Sequence, residues 1–157
     1  MAIVWQKTIN GTHYAVKAAG NSRRLYSDGV FHSQYNSARP ITGTLWDLLM
    51  LLAFFYTPGT IKRVLVLGLG GGTVVHQLLH FVGPEHILCV ELNPVHIIIA
   101  QRFFGITQKN AEVHQADAKL WLERYQGPRF DMIIDDLFGQ QEGQASTGHR
   151  CQCKVVL

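Results

Sequence analysis

An α/β fold with a parallel sheet is what this sequence predicts, on three observations. The run VLVLGLGGG at residues 64–72 is continuously apolar and ends in glycines, as a strand covered on both faces does where it turns into a helix. From residue 63 to 136, apolar strand-like runs alternate with segments of helical period, the pattern of βαβ units. Ahead of them, three turn dipeptides lie close together between β-rich runs, which marks a small antiparallel sheet.

The antiparallel sheet comes first. Asn10-Gly11 joins strand candidates at 3–9 and 12–18, and both residues accept the positive φ of a type I′ turn. Gly20-Asn21 leads into a third strand at 23–26, and Asp28-Gly29 into a fourth at 30–34. Such a sheet is marginal alone and must pack on a neighbour. Ser37-Ala38-Arg39-Pro40 then breaks the chain. Thr42 or Thr44 is placed to cap a helix through LWDLLMLLAFFY, residues 45–56, and Tyr56-Thr57-Pro58-Gly59 ends it. Its apolar residues occupy nearly every face, so burial on both sides is expected.

The second half reads as helices at 73–81, 94–104 and 118–125, between strands at 86–91, 111–114 and 130–135. Residues 139–150 are polar and contain glycine, so they read as a loop, and 154–157 as a fragment of a fifth strand. The expected division is a small N-terminal β-domain at 1–40 and a Rossmann-like nucleoside-binding domain at 41–157.

Composition limits the function classes. The 157 residues are 47% hydrophobic and 16% charged, which excludes a disordered chain and allows a core without disulfides. The net charge is only +3 and the basic residues are scattered, so no nucleic-acid partner is expected. Cys89 lies in the apolar run ILCV and reads as a core thiol, while Cys151 and Cys153 form a lone C-x-C without further ligands. No signal peptide opens the chain, and the apolar stretch at 45–56 contains Asp47 and is shorter than the ~20 residues of a membrane span. A cytoplasmic protein with no membrane partner is expected.

The candidate site follows from strand ends. Gly68-Leu69-Gly70-Gly71-Gly72-Thr73 joins a strand to a helix, where backbone approaches a ligand closely and N–H groups point outward. Glu91 closes the next strand, where an acid can accept both ribose hydroxyls of a nucleoside. Asp117 follows the third strand, and Asp135 and Asp136 end the fourth. In an open parallel sheet these positions converge on one crevice outside the strands' carboxyl ends. Asp117 also sits where a helix cap belongs.

The stretches VLVLGLGGGT, ILCVELNPVHIIIAQRFFGI, VHQADAKLWL and FDMIIDD, in that order and spacing, resemble the nucleoside-binding half of the spermidine synthase family. SDGVFHSQYN resembles the hairpin of that family's small N-terminal β-domain. The resemblance implies a class I fold of the S-adenosylmethionine-dependent methyltransferase type. It also implies a transferase that takes S-adenosylmethionine or its decarboxylated form as co-substrate and passes an aminopropyl group to a small-molecule amine. Carried over, Gly68, Gly70, Gly71 and Gly72 form the loop along the cofactor, and Glu91 binds the ribose. Asp117 faces the adenine amino group, Asp135 adds negative charge beside the site, and Asp136 receives the proton of the attacking amine. The pattern departs at Gly71, where the family's loop acid stands, at Gly139 in place of a second acid after the fourth strand, and at His32 in place of the hairpin glutamine. Its Tyr-His-Glu stretch falls near Ile41-Thr42-Gly43.

Other readings use the same residues. A small-molecule methyltransferase shares the site, and the loss of a loop acid at Gly71 leaves methyl transfer open. A dinucleotide oxidoreductase needs Gly or Ala where Thr73 stands. A truncated or non-catalytic nucleoside-binding relative is the third. Only 21 residues follow Asp136, so the sheet's far edge is expected to be incomplete, which implies a partner subunit (a homo-oligomer among the options), a truncated gene product or poor stability. His76 and His80 stand i, i+4 without a third ligand, so no metal is expected. His86 and His96 likewise show no acid partner at ligand spacing. Trp46 and Trp121 are expected in the core.

Overall fold

The computed structural model describes residues 1–137. The expected loop at 139–150, the strand fragment at 154–157, and Gly139, Cys151 and Cys153 lie outside them.

Four antiparallel strands open the chain: β1 (Ala2–Ile9), β2 (Thr12–Ala19), β3 (Ser22–Ser27) and β4 (Val30–Tyr35), in the order β1-β2-β3-β4. The turns form where the dipeptides predict them. Asn10 and Gly11 take φ 51° and 83°, and Asp28 and Gly29 take 47° and 80°, the paired positive values that match the twist of a two-residue hairpin. Asp28 Oδ1 also accepts the His13 N–H at 2.7 Å, so the last turn is pinned to the strand beside it.

The second sheet is parallel: β5 (Arg63–Leu67), β6 (His86–Glu91), β7 (Glu112–Gln115) and β8 (Met132–Asp135), in the order β7-β6-β5-β8. Helices α2 (Thr73–Phe81), α3 (Pro94–Phe103) and α4 (Ala118–Arg124) connect its strands. On one face Val64, Val66 and Cys89 pack against Val74, Val75 and Leu78 of α2 and Ala100 of α3. On the other, Leu65, Leu67, Leu88 and Val90 pack against Ala118, with Trp121 half-buried beside them. Burial on both faces is why these strands read as unbroken apolar runs. It also pushes the Cys89 thiol up to about 12, an inert core thiol.

The order matters for the site. The chain builds outward from β5 to β6 and β7, then returns to the other side of β5 as β8. That order reverses at the carboxyl ends of β5 and β8, the position where open parallel sheets bind their ligands. The antiparallel sheet does not stand alone. Tyr14, Val16 and Leu25 pack with Ile99 and Phe104 at α3, and the Trp5 and Phe103 rings lie 5.7 Å apart.

The helix expected at 45–56 is corrected in two ways. Its α-helical part, α1, is only Leu45–Leu51, and Leu52–Phe55 tightens into a 3-10 turn. It is also buried on one side only. Trp46, Leu49, Met50 and Ala53 are buried, whereas Leu48 is 62% exposed and Phe55 80%. A stripe of seven residues offers one face to the sheet layer, and apolar residues on its back do not create a second layer to receive them. Leu49→Ala is therefore expected to cost about 2–4 kcal/mol and Leu48→Ala no more than about 0.5 kcal/mol, in urea unfolding of the two variants. Equal losses would contradict one-sided burial.

Candidate nucleoside and amine site

The glycine loop leaves β5 with Gly68 at φ +87°. A Cβ there would lie 2.5 Å from the Asp136 carbonyl oxygen, so only glycine lets β5 and the end of β8 approach this closely. The loop's amides do not point outward as the sequence suggested. Gly68 N donates to Val90 O at 2.8 Å, and Leu69 N and Gly70 N donate to Glu91 Oε2 at 2.8 and 3.1 Å. Gly71 N donates to Ser33 Oγ at 2.5 Å, and Gly72 N to Leu69 O at 2.7 Å. Every loop N–H from 68 to 72 is thus satisfied inside the protein. The glycines serve close packing against the end of β8, β4 and Ile106.

Glu91 sits where β6 ends, buried against that loop. Its Oε1 accepts the Asn93 N–H at 2.8 Å and lies 3.9 Å from His96 Nδ1. A carboxylate oxygen has about two lone pairs. Oε2 is therefore filled by the loop, while Oε1 keeps acceptor capacity. His96 Nε2 in turn is 2.9 Å from Ser27 Oγ, so β3, α3 and the Glu91 carboxylate form one buried polar cluster. Burial holds His96 below its ordinary range, against the pull of Glu91. The His32 ring lies 4.9 Å from it, and burial together with His96 lowers His32 to about 4, so both are neutral at pH 7.

Asp135 and Asp136 end β8 beside the loop, and the Asp136 N–H donates to Leu67 O at 2.8 Å. Asp136 Oδ2 accepts Trp46 Nε1 at 3.1 Å, while Oδ1 is buried without a hydrogen-bond partner. Burial raises this carboxyl to about 7. The Trp46 hydrogen bond opposes the shift, and the charges of Asp135 and Glu91 add to it. The acid nearest the switch point therefore titrates near neutrality.

The structure brings Gly68, Gly70, Gly71, Gly72, Glu91, Asp135 and Asp136 together around the carboxyl ends of β5, β6 and β8. Asp117 is exposed and serves as the N-cap of α4, accepting the Leu120 N–H at 3.0 Å. Capping is the role that this contact supports for Asp117.

Position 71 is closed by packing. A Cβ on Gly71 would lie 2.8 Å from Ser33 Cβ and 3.1 Å from the Phe104 ring. β4 thus covers the loop, and Ser33 is a residue that sequence reasoning missed. Its signal was faint: a serine within the strand that follows Asp-Gly. Ser27 and the Trp46 indole N–H were missed too, since both partners lie far off in sequence.

The histidines also need correcting, because tertiary structure supplies the acids that spacing did not show. His86 Nε2 and His114 Nε2 lie 2.8 and 2.7 Å from the two oxygens of Glu112, on neighbouring strands. His96 faces Glu91. Among the described residues, no group of three or more His, Cys, Asp or Glu side chains is placed to hold a metal ion. Nor is any described helix long and apolar enough to cross a membrane.

Because the folded carboxyl of Asp136 is raised from 3.8 to about 7, the folded state holds a proton there that the unfolded chain has released. Asp136 thus contributes stability below pH 3.8 that is lost as the pH rises toward 7. Asp136→Asn is expected to gain on the parent chain between those limits and hold its lead above them, in urea unfolding across pH. A constant difference at every pH would show that the carboxyl is not raised. Separately, Ser33→Ala leaves the buried Gly71 N–H without an acceptor and is expected to cost about 1–3 kcal/mol in the same assay. No loss would remove Ser33 as the loop's anchor.

Comparison with known proteins gives the family and the fold. A polyamine aminopropyltransferase of Vibrio vulnificus (strain CMCP6) is 36% identical over 80 residues, which are 49% of this chain and 27% of that protein. A probable spermidine synthase from Corynebacterium glutamicum ATCC 13032 superposes with a TM-score of 0.72 at 18% identity, covering 90% of this chain and 54% of that one. The spermidine synthase from Thermotoga maritima gives 0.65 at 16% identity, covering 87% and 49%. At such identities the structural likeness speaks for the fold, and the chain spans about a quarter of the curated relative and half of the solved structures. The spermine/spermidine synthase domain model matches residues 47–151, and the chain belongs to that family.

Proposed function

We propose that this chain carries the nucleoside-binding half of an aminopropyltransferase site, taking decarboxylated S-adenosylmethionine and a small amine. The observation that carries the reading is Asp136. It is a buried carboxyl raised to about 7, with one oxygen unpartnered, beside a glycine loop whose other side is held by Glu91. The names of the sequence relatives, polyamine aminopropyltransferases, favour aminopropyl over methyl transfer.

The residues present fit such a co-substrate. Oε1 of Glu91 keeps acceptor capacity for a ribose hydroxyl. The glycines let the loop lie against the end of β8 and against β4, and the orphaned Asp136 Oδ1 has acceptor capacity for a donor. When bound, the sulfonium nucleoside supplies an electrophilic methylene and a neutral thioether leaving group. Asp136 handles the proton. An ammonium cannot attack carbon, so the ionised carboxylate must accept one N–H proton as the nitrogen lone pair forms the new C–N bond and the C–S pair returns to sulfur. A pKa near 7 keeps enough carboxylate to accept that proton and enough basicity to hold it. Asp135 and Glu91 add negative charge that suits a cationic amine, and Gly71 adds none. Positioning supplies the rest of the barrier lowering.

Methylthioadenosine is expected to raise the melting temperature of the chain, since a ligand of the folded state alone stabilises it. Glu91→Gln keeps an acceptor for the loop amides. It is expected to weaken methylthioadenosine binding by about 1–3 kcal/mol in calorimetry, and unchanged affinity would remove the ribose role. Asp136→Asn is expected to abolish amine-dependent release of methylthioadenosine from decarboxylated S-adenosylmethionine, while retained turnover would exclude it as the base.

A further inference from the structure

Asp136 carries an unexplained asymmetry. Oδ1 is buried without a partner, whereas Oδ2 accepts from Trp46 Nε1 at 3.1 Å. Buried polar atoms in folded proteins are nearly always paired, so an orphaned carboxylate oxygen calls for an explanation, and a catalytic role is one. The charges that face this carboxyl, Asp135 beside it and Glu91 on β6, are both negative. Among the described residues the one donor on it is the indole.

That indole is held from two sides. Phe31 of β4 meets its ring edge-on, with centroids 5.2 Å apart at 80°, and Tyr26 of β3 stacks on Phe31 at 5.3 Å. The start of α1 is tied down by Asp47, whose carboxylate accepts Thr42 N at 3.0 Å, Gly43 N at 2.6 Å and Gln77 Nε2 at 2.5 Å. Trp46 itself is 6% exposed. An indole N–H donates and never accepts, so a fixed indole can hold one oxygen and leave the other.

We propose that Trp46 is a positioning residue for Asp136: its N–H fixes Oδ2 and so leaves Oδ1 as the oxygen that accepts the N–H of the amine substrate. The proposal rests on the reading of Asp136 as the base. The aromatic stack Tyr26–Phe31–Trp46 then gives the antiparallel sheet a part in orienting the acid, acting through the indole rather than on the carboxyl itself.

The test is a pH titration of the full chain labelled with 15N-tryptophan, with Trp46→Phe identifying the Trp46 indole resonance. That resonance is expected to titrate with a midpoint near 7, and the titration is expected to vanish in Asp136→Asn. In Trp46→Phe the side-chain 13C signal of Asp136 is expected to titrate higher by about half a pH unit or more, since a donor to the charged form is lost. A flat Trp46 resonance, or one that titrates equally in Asp136→Asn, overturns the pairing. An unmoved Asp136 midpoint in Trp46→Phe overturns it as well. Should Trp46→Phe fail to fold, the remaining indole signal is assigned from Trp5→Phe and Trp121→Phe, and the comparison with Asp136→Asn decides. The spectra read the pairing alone, whereas amine-dependent turnover reads the base. A paired but inactive chain therefore refutes the functional reading and not the Trp46 contact. With both in hand, Trp46→Phe is expected to shift the acidic limb of the turnover profile by the same amount as the 13C midpoint. An unshifted limb refutes the positioning role.

Discussion

The arrangement depends on the carboxylate of Glu91. A glycine-rich loop has little intrinsic reason to hold one shape, since its residues lose more conformational freedom on folding than any others. Two N–H donations into one buried, charged oxygen replace that freedom with a fixed geometry. Charge-assisted hydrogen bonds are roughly twice as strong as neutral ones, so a single acid can tie the end of β6 to the turn after β5. Once the loop is fixed, Gly68 can lie against the Asp136 carbonyl, which joins the ends of β5 and β8.

A second layer of constraint comes from the antiparallel sheet. Its contacts around the site are hydroxyls and rings rather than charges, and they reach each side of it. Ser33 takes the Gly71 amide, Ser27 holds His96 behind Glu91, and Phe31 backs the indole that holds Asp136. The apolar face of the four-stranded sheet is covered by α3 and the residue after it. That packing does two things: it buries the sheet's apolar face and sets the position of these contacts at the site.

The electrostatics of the site follow from what surrounds it. Asp135, Asp136 and Glu91 concentrate negative charge in a partly dry space, and burial keeps His32 and His96 neutral, so they do not cancel it. One of the acids must take up a proton near neutral pH, and the one with an orphaned oxygen is the one that does. Burial is the larger cause of that shift in pKa, and the charges of Asp135 and Glu91 add to it.

By itself the sequence determined the fold class, the turns and the strand ends. Those are local: apolar periodicity, paired positive-φ dipeptides and glycines after a strand act within a few residues, so VLVLGLGGG, Asn10-Gly11 and Asp28-Gly29 are legible in the chain alone. The acids Glu91, Asp135 and Asp136 are legible for a related reason, because a parallel sheet sends its strand ends to one edge. Tertiary structure decided the partners. It turned the loop amides inward onto Glu91 and Ser33, made a helix cap of Asp117, bared the back of α1 and paired Trp46 with Asp136 across 90 positions of sequence. Hydrogen bonds and burial of that kind depend on which surfaces meet, and a one-dimensional pattern carries which face is apolar without saying what will cover it.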